Sequence, residues 1–283
     1  MRCVLRSRVM PTGAQPWPTT FFLDGTRGEL ADPVAIEDPL EVQLASGDAP
    51  AAQLAVTLRT PGHDRELAAG LLYAEGIVDS AADFVALDEA AAGDAPGSRV
   101  VARLKDRRDG PHAIAARPFL STAACGLCGK ASVDAVFASG FPPLPPGPRL
   151  ALPLLLDLPR RMAPAQELFA QTGGIHAAAL FTADGELLLS REDVGRHNAV
   201  DKVVGALLLA GRLPAGESIL AVSGRIGFEI VQKALRAGIP ILAAVGAPST
   251  LALRLAARAG MTVVGFVRPG RCNVYSGVER IAD

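Results

Sequence analysis

The chain lacks the surplus of basic residues that is typical of proteins that bind nucleic acids. Its 283 residues include 28 Lys and Arg against 29 Asp and Glu, which leaves a formal net charge of −1. A protein that follows a phosphate backbone usually carries a basic surplus or stripe, so we expect no nucleic-acid partner. No segment approaches the roughly 18 consecutive apolar residues of a membrane-spanning helix, so we expect no membrane partner either.

Cysteine is scarce, and its distribution is uneven. The four cysteines are Cys3, Cys125, Cys128 and Cys272. They are too few and too scattered to form the disulfide framework of a secreted scaffold. The basic N-terminus is followed by Pro11 where a signal peptide needs an unbroken apolar stretch. We therefore expect a reducing compartment, the cytoplasm.

Aromatic residues are also few, and two familiar nucleotide-binding motifs are absent. Aromatic residues make up 5% of the chain, hydrophobic residues 49% and charged residues 20%. This composition excludes general disorder and predicts aliphatic, alanine-rich cores, about two of them at roughly 150 residues per domain. The absence of a Walker A sequence and of G-x-G-x-x-G argues against an ordinary ATPase or dinucleotide-dependent dehydrogenase.

The first third of the chain predicts a small α+β domain. Residues 1–33 are rich in Pro, Thr and Gly without a sustained period, which predicts an extended or poorly ordered arm. Alternating apolar residues at 40–44 and 54–58 then predict a strand hairpin. Asp64 is placed to cap a helix that ends near Gly76, and a further strand is predicted at 100–104.

These patterns divide the chain from residue 34 onward into three segments. The α+β domain is predicted at 34–116, and a mobile loop with a proline-rich connector at 117–150. The remaining residues, 151–283, form the larger domain, which contains a hairpin around Asp184-Gly185 and an amphipathic helix at 199–208. Strands then alternate with helices at 218–222, 228–236, 241–245, 249–258 and 262–267. The fold class is therefore α/β, with a mainly parallel sheet covered on both faces.

The residues after the predicted parallel strands favour an anionic ligand. These residues are small or cationic: Ser223, Gly224 and Arg225; Gly246 and Ala247, with Pro248 and Ser249; and Arg268, Pro269, Gly270 and Arg271. Ligands of open α/β sheets bind beyond the carboxyl ends of the strands, where glycine exposes the backbone and helix N-termini and guanidinium groups attract anions. A single such turn is often only a turn, but three at one edge predict a phosphate-bearing ligand.

Other polar residues admit two interpretations. The segment 192–198 places two carboxylates, Arg196 and His197 just before a helix. It is either a site or a capped helix start in which Asp193 or Asn198 binds free backbone N–H groups. For the other histidines we favour a structural or surface role.

The pair Cys125-x-x-Cys128 lies in a glycine-flanked polar segment, which is unlike the apolar setting of a structural cysteine. Three chemistries use this spacing. A zinc site needs two further ligands, and only scattered residues such as His176 and Cys272 are available. Thiol–disulfide exchange in a thioredoxin-like unit needs a preceding strand, which is not predicted. In the third, sulfur transfer, a thiolate carries a sulfane sulfur as a persulfide on a mobile loop.

A series of motifs in order resembles the FdhD family, the sulfur carriers needed to make formate dehydrogenase active. The motifs are RTPGHD at 59–64, EG at 75–76, CGLCGK at 125–130, TGGIH at 172–176, EDVGRHNAVDK at 192–202, SGR at 223–225 and NVY at 273–275. The resemblance covers about residues 35–280. It implies a homodimer whose C-terminal domain is similar to the cytidine deaminase fold.

The resemblance also implies a reaction. Members of the family take sulfur from a cysteine desulfurase and pass it to the molybdenum cofactor, Mo-bis-molybdopterin guanine dinucleotide, before that cofactor enters formate dehydrogenase. By motif, Cys125 is then the persulfide carrier and Cys128 its partner. The implied cofactor-binding segment consists of Phe266, Val267, Arg268, Pro269, Gly270 and Arg271. The family usually has Gly directly after the equivalent of Arg268, so Pro269, which lacks a backbone donor, is a departure that bears on this contact.

Two rival functions remain. One is a cofactor-binding chaperone that uses the cysteine pair for zinc or redox control. The other is a nucleoside deaminase, which we disfavour because His176-Ala177-Ala178 lacks the glutamate of H-x-E and follows the cysteines rather than preceding them.

Overall fold

The computed structural model describes residues 12–47, 50–91, 97–105 and 143–282. Cys125 and Cys128, together with most of the predicted loop and connector, lie outside these ranges, as do Cys3 and His112. No helix within the described ranges is long and apolar enough to cross a membrane. The domain boundaries derived from the sequence stay a prediction.

Residues 14–35 form a regular hairpin where the sequence predicts an extended or poorly ordered arm. Strands β1 (Ala14–Leu23) and β2 (Thr26–Ala35) pair antiparallel along their whole length. Asp24 and Gly25 join them with φ values of 49° and 76°. This pair of left-handed residues forms the tight turn that suits the twist of a two-stranded ribbon.

A smaller sheet with one helix follows the hairpin. Its sheet has the order β4-β3-β6-β5, in which β3 and β6 are parallel and the other neighbours antiparallel. The strands are β3 (Asp38–Ser46), β4 (Ala52–Arg59), β5 (Phe84–Ala91) and β6 (Ser98–Leu104), and helix α1 (Asp64–Ala74) follows β4. The hairpin and the strand at 100–104 are confirmed, whereas β5 is an addition. Asp64 is not the cap of α1 but its first residue, and its carboxylate instead accepts hydrogen bonds from Arg59 at 2.7 and 2.9 Å.

The larger unit confirms the α/β class. Its helices are α2 (Leu152–Met162), α3 (Glu167–Thr172), α4 (Arg196–Leu209), α5 (Phe228–Arg236) and α6 (Thr250–Arg258). Its main strands are β8 (His176–Thr182), β9 (Leu187–Asp193), β10 (Ser218–Val222), β11 (Ile241–Ala244), β12 (Thr262–Arg268) and β13 (Arg271–Ser276). Short strands β7 (Leu150–Ala151) and β14 (Ile281–Ala282) pair in parallel, and the 3₁₀ turns are Ala81–Asp83, Ala163–Ala165 and Val278–Arg280.

The six-stranded sheet is mixed, where the sequence predicts a mainly parallel one. Its order is β13-β12-β11-β10-β8-β9. Only the pairs β10–β11 and β11–β12 are parallel. At one end β13 pairs antiparallel with β12, and at the other the β8–β9 hairpin pairs antiparallel with β10 through β8.

The sheet is covered on both faces, as the sequence predicts. Leu220 and Leu242 face the layer of α4, α5 and α6, while their neighbours Ile219 and Ile241 face the layer of α2. All four side chains are fully buried. Successive side chains of each strand therefore pack into the apolar layers on opposite faces of the sheet.

Helices α1 and α4 cross at two glycines and join the smaller sheet to the larger unit. A Cβ atom on Gly70 would lie 2.0 Å from the carbonyl oxygen of Asp201, and one on Gly205 would lie 1.8 Å from that of Glu66. The two backbones therefore touch. Through this crossing the apolar residues of both sheets form one continuous core.

Candidate functional site

The turns that follow β10 and β11 lie side by side at one edge of the sheet, next to Phe266 in β12. Ser223, directly after β10, donates its backbone N–H to the carbonyl oxygen of Ala177, and its Oγ accepts from the N–H of the same residue, both at 2.9 Å. Gly246, after β11, donates to the carbonyl oxygen of Gly224 at 3.2 Å. The N–H of Phe266 in turn donates to Gly246 at 3.1 Å. Ordinary backbone hydrogen bonds therefore hold this edge together.

Glycine is required where two of these turns meet. A Cβ atom on Gly246 would lie 2.6 Å from the carbonyl oxygen of Gly224. That distance is shorter than any real contact of a Cβ atom, so a side chain here would push the turns apart. Ala247 and Ile226 add a further backbone hydrogen bond of 3.0 Å between the same two turns.

The segment implied to bind the cofactor is a hairpin rather than a strand-to-helix turn. Arg268 and Arg271 are paired across a two-residue connection, Pro269-Gly270, in which Gly270 has a φ of 79°. Proline followed by a left-handed glycine is the usual sequence of a type II turn. Arg268, Pro269, Gly270 and Arg271 are exposed.

The side chains of the two residues before this turn lie in different surroundings. Phe266 is half-buried and has a φ of 54°, an uncommon value for a bulky side chain, at a register shift between β12 and β13. Val267 is buried in the apolar layer beneath α2, so its side chain belongs to the core. Of these two residues, only Phe266 is placed for a side-chain contact with a ligand.

Four cationic or titratable side chains gather beside the first turn. They form what we name the cationic cluster: His176, Arg196, His197 and Arg225. His176 opens β8, which is antiparallel to β10, so its first residue lies at the edge where β10 ends. A Cβ atom on Gly224 would lie 3.3 Å from Nδ1 of His176 and 3.7 Å from Cβ of Arg196.

The electrostatics of His176 reflect this setting. Burial lowers the pKa of His176 below its ordinary value of 6.5, and the neighbouring positive charges of Arg196, His197 and Arg225 lower it further, while Asp193 opposes them. The edge is therefore a place where positive charge is concentrated and where an anion would be stabilised.

Glu229 adds a carboxylate to the rim of the cluster. It lies in the first turn of α5, is 8% exposed, and its Oε2 lies 2.5 Å from Nε2 of His197. An ionised carboxylate has no proton to donate, so Nε2 of His197 is the donor. Among the residues that the structure describes, two buried side-chain polar atoms lack a hydrogen-bond partner: Nε of Arg196 and Oε1 of Glu229.

The two carboxylates of segment 192–198, Glu192 and Asp193, accept hydrogen bonds from other groups in the fold. Oδ1 of Asp193 accepts from the N–H of Gly195 at 2.8 Å and from Nδ2 of Asn198 at 2.9 Å. Glu192 accepts from two backbone N–H groups in the first turn of α3, at 2.8 and 2.9 Å, and burial raises its pKa. Helix α4 has no side-chain cap of its own, so the expected cap of its free N–H groups by Asp193 or Asn198 is wrong. Arg196 and His197 belong to the cationic cluster.

Cys272 lies apart from this chemistry. It is half-buried on β13, packs against the apolar layer beneath α2, and burial raises the pKa of its thiol. Within the described ranges no three His, Cys, Asp or Glu side chains form a group that would hold a metal ion.

The structure thus brings Ser223, Gly224 and Gly246 together, with Arg225 exposed beside them. Sequence reasoning left His176 and Arg196 unassigned and did not consider Glu229. The order of the strands would have indicated His176, because the first residue of an antiparallel neighbour lies at the carboxyl edge. No sequence signal indicates Glu229.

Comparisons with known proteins agree on one family. A sequence model of the FdhD/NarQ family matches residues 35–282. The "Sulfur carrier protein FdhD" of Nocardia farcinica is 48% identical over 251 residues, covering 88% of each chain, and that of Streptomyces avermitilis is 47% identical over 270 residues, covering 92% of each. A crystal structure from Desulfotalea psychrophila, described as a formate dehydrogenase accessory protein, has a TM-score of 0.74 at 29% identity and covers 95% of this chain and 99% of its own.

Proposed function

The chain belongs to the FdhD/NarQ family, and from this premise we propose that it is a sulfur carrier protein with sulfurtransferase activity. It accepts persulfide sulfur from a cysteine desulfurase and transfers it to Mo-bis-molybdopterin guanine dinucleotide, which formate dehydrogenase requires. The names of the curated relatives support the carrier role. The proposal includes a cytoplasmic homodimer.

The first step moves sulfur between two thiols. The Cys125 thiolate attacks the outer sulfur of the desulfurase persulfide, so that a new S–S bond forms on Cys125 as the old one breaks and the desulfurase thiolate leaves. No electrons are gained or lost overall. The carrier then holds one sulfane sulfur.

The second step releases that sulfur in reduced form. The Cys128 thiolate attacks the inner sulfur of the Cys125 persulfide, forming a disulfide and expelling the outer sulfur as hydrosulfide, the species that the molybdenum acceptor takes up. The cysteine pair supplies the two electrons, and a thiol reductant restores the pair for the next cycle.

The acceptor is proposed to bind at the carboxyl edge of the parallel strands. The observation that carries this part is the position of the cationic cluster directly beyond β10, beside two glycines that leave the backbone accessible. Positive side chains suit the phosphates of a dinucleotide, and the two unpartnered buried atoms suit a ligand that also forms hydrogen bonds. Ser223, Gly224, Arg225, Gly246 and Ala247 would hold it, with Phe266 and the exposed residues 268–271 at the rim.

Sulfur loading tests the carrier role. The purified protein, incubated with a cysteine desulfurase and L-cysteine, is expected to gain the mass of one sulfur atom, which a thiol reductant removes. Cys125→Ala should abolish the gain, and Cys272→Ala, a matched substitution of a half-buried thiol, should retain it. A Cys125→Ala protein that still activates formate dehydrogenase would contradict the proposal.

Metal analysis separates this function from the chaperone with a zinc or redox cysteine pair. Stoichiometric zinc in freshly purified protein, lost on substitution of either Cys125 or Cys128, would favour the chaperone. Reducible sulfur on Cys125 without zinc supports the carrier.

A further inference from the structure

The hairpin of β1 and β2, which we name the ribbon, forms a two-stranded sheet of its own. Ile36 donates its N–H to the carbonyl oxygen of Gly13 at 2.8 Å and closes the base of the ribbon, and β2 contacts α3. None of the residues of these two strands is buried. A two-stranded hairpin alone is at best marginally stable in water, so a ribbon of ten residues per strand needs a cover.

The side chains of the ribbon alternate between two faces. The register is unbroken from the pair of Ala14 and Ala35 to that of Leu23 and Thr26, so every second residue shares a face. What we name the ribbon face consists of Gln15, Trp17, Thr19, Phe21 and Leu23 from β1 and Thr26, Gly28, Leu30, Asp32 and Val34 from β2.

The ribbon face is apolar and exposed. Trp17, Leu23 and Val34 are 57%, 65% and 40% exposed. The opposite face carries the ion pair of Arg27 and Glu29, whose side chains are 66% and 77% exposed, and this pair suits contact with solvent. An exposed apolar face of this kind is typical of a docking surface.

The two edges of the ribbon are protected by proline. Pro16 and Pro18 lie in β1, and Pro33 lies in β2 opposite Pro16. Proline has no N–H to donate, so a further strand cannot pair fully along either edge. A partner therefore contacts the ribbon through its face.

The ribbon face is complementary to itself. Thr19 lies opposite Leu30 near the middle of the ribbon. A two-fold axis that runs between two such faces at this level stacks Trp17 of each copy on Phe21 of the other, and Leu30 on the Leu30 of the other copy. Aromatic pairs add to the free energy that apolar burial supplies, so this arrangement is favourable.

The charges of the ribbon also favour a second copy of the chain as the occupant. Under the same axis each Asp32 faces Gly28 of the other copy, so the two carboxylates lie at opposite ends and do not repel each other. Three carboxylates on the ribbon, those of Asp24, Glu29 and Asp32, stand against the single cation of Arg27. An anionic membrane surface is therefore an unfavourable occupant.

We propose that two copies of this chain stack their ribbon faces around a two-fold axis at Thr19 and Leu30. The match to the family begins at residue 35, the last residue of β2, so this contact goes beyond the homodimer of the proposed function. Ten residues from each copy are fewer than the roughly 20–30 of a standard interface, so dilution should reverse the contact.

The fluorescence of Trp17 measures this contact in the full chain, because Trp17 is its only tryptophan. As the protein concentration rises through a dilution series, the emission should move to shorter wavelength and quenching by acrylamide should fall severalfold. Phe21→Ser should abolish both changes, since Phe21 stacks on Trp17 of the other copy. Phe22→Ser, the same change at a 73% exposed side chain on the opposite face, should retain them.

Cross-linking is a second measurement, and it leaves every aromatic ring in place. Packed sheets lie about 10 Å apart, so a bis-maleimide with a spacer of about 8 Å should join two copies of the Thr19→Cys protein. Thr20→Cys lies on the opposite face and is the more exposed position. It should cross-link no more than the native protein, whose own cysteines give the background.

Three results would overturn the inference. One is a Trp17 that stays equally open to acrylamide at every concentration, and another is equal cross-linking of the two cysteine variants. If the chain is dimeric in those experiments, the homodimer of the proposed function stands and forms through another surface. The third is a shift of the emission that occurs only when vesicles of anionic phospholipid are added, which would assign the ribbon face to a membrane surface.

Discussion

Asp193 and Lys202 form an ion pair at 2.6 Å in which the two side chains are 0% and 1% exposed. The pair also fixes the loop after β4. Lys202 donates a hydrogen bond to the carbonyl oxygen of Thr60 at 2.9 Å, and Asp193 accepts one from the backbone N–H of Thr60 at 3.2 Å. Val194 donates to Oγ1 of Thr60 at 3.1 Å. One buried pair thus ties the smaller sheet to the start of α4, where Arg196 and His197 begin the cationic cluster.

Breaking this pair is expected to destabilise the fold strongly. Lys202→Met leaves the Asp193 charge buried without its partner and should lower the free energy of unfolding by about 3–5 kcal/mol in urea titrations. The double variant with Asp193→Asn should recover part of the loss. Arg27→Met, which removes an ion pair with a 66% exposed arginine, should change stability by less than about 0.5 kcal/mol. Equal effects of the two single variants would contradict this account.

The crossing of α1 and α4 predicts a second sensitivity. Gly70→Ala or Gly205→Ala places a methyl group where the carbonyl oxygen of the other helix lies, at 2.0 and 1.8 Å. The helices must separate, so we expect a loss of about 3 kcal/mol or more, measured by thermal and urea unfolding. Gly216→Ala is the control, since its nearest neighbours lie 3.9 Å away. A stable Gly70→Ala protein would show that the helices adjust without cost.

The acid stability of the protein should depend on Glu66. Burial raises the pKa of Glu66, but hydrogen bonds from Arg191 and His63 outweigh it and hold that pKa at about 2, against an ordinary 4.5. Because the folded pKa lies below the unfolded one, the ionised carboxylate stabilises the fold above pH 4.5, and this contribution is lost as the pH falls toward 2.

Glu66→Gln should therefore cost about 2 kcal/mol of unfolding free energy at neutral pH. The difference between this variant and the native protein should shrink steadily below pH 4.5. Urea titrations across this pH range measure it. Glu29→Gln, at a 77% exposed carboxylate, should show no such trend. A difference that stays constant down to the lowest pH would rule out the proposed titration.

Local patterns predicted much of the larger unit correctly. The strand at 218–222 and the helix at 228–236 have the bounds that the sequence indicates, because a short apolar run and an amphipathic period are local signals. The hairpin at Asp184-Gly185 is equally local. The same patterns do not contain strand order or direction, and for this reason neither the antiparallel pairing of β8 with β10 nor the edge strand β13 was predicted.

The site was only partly predictable for the same reason. Ser223 and Gly246 follow strands in the sequence, so a rule about strand ends finds them. His176 is the first residue of its strand and lies at this edge only because β8 runs opposite to β10. Glu229 reads as an ordinary acidic residue in the first turn of a helix, and its unpartnered oxygen becomes apparent only when His197 is placed against it.

The titration of His176 tests whether the edge attracts anions. In the ligand-free protein its imidazole should titrate below 6.5, because burial and the charges of Arg196, His197 and Arg225 disfavour protonation. Arg225→Gln should raise the pKa of His176 toward 6.5, and pyrophosphate should raise it in the native protein by neutralising the same charges. Nuclear magnetic resonance, with the signal assigned through His176→Gln, measures both effects. Arg212→Gln, at an exposed arginine, should leave the titration unchanged. The contradicting result is that Arg225→Gln shifts the pKa of His176 but pyrophosphate does not. Anions would then bind elsewhere, and the carboxyl edge would not be the phosphate site.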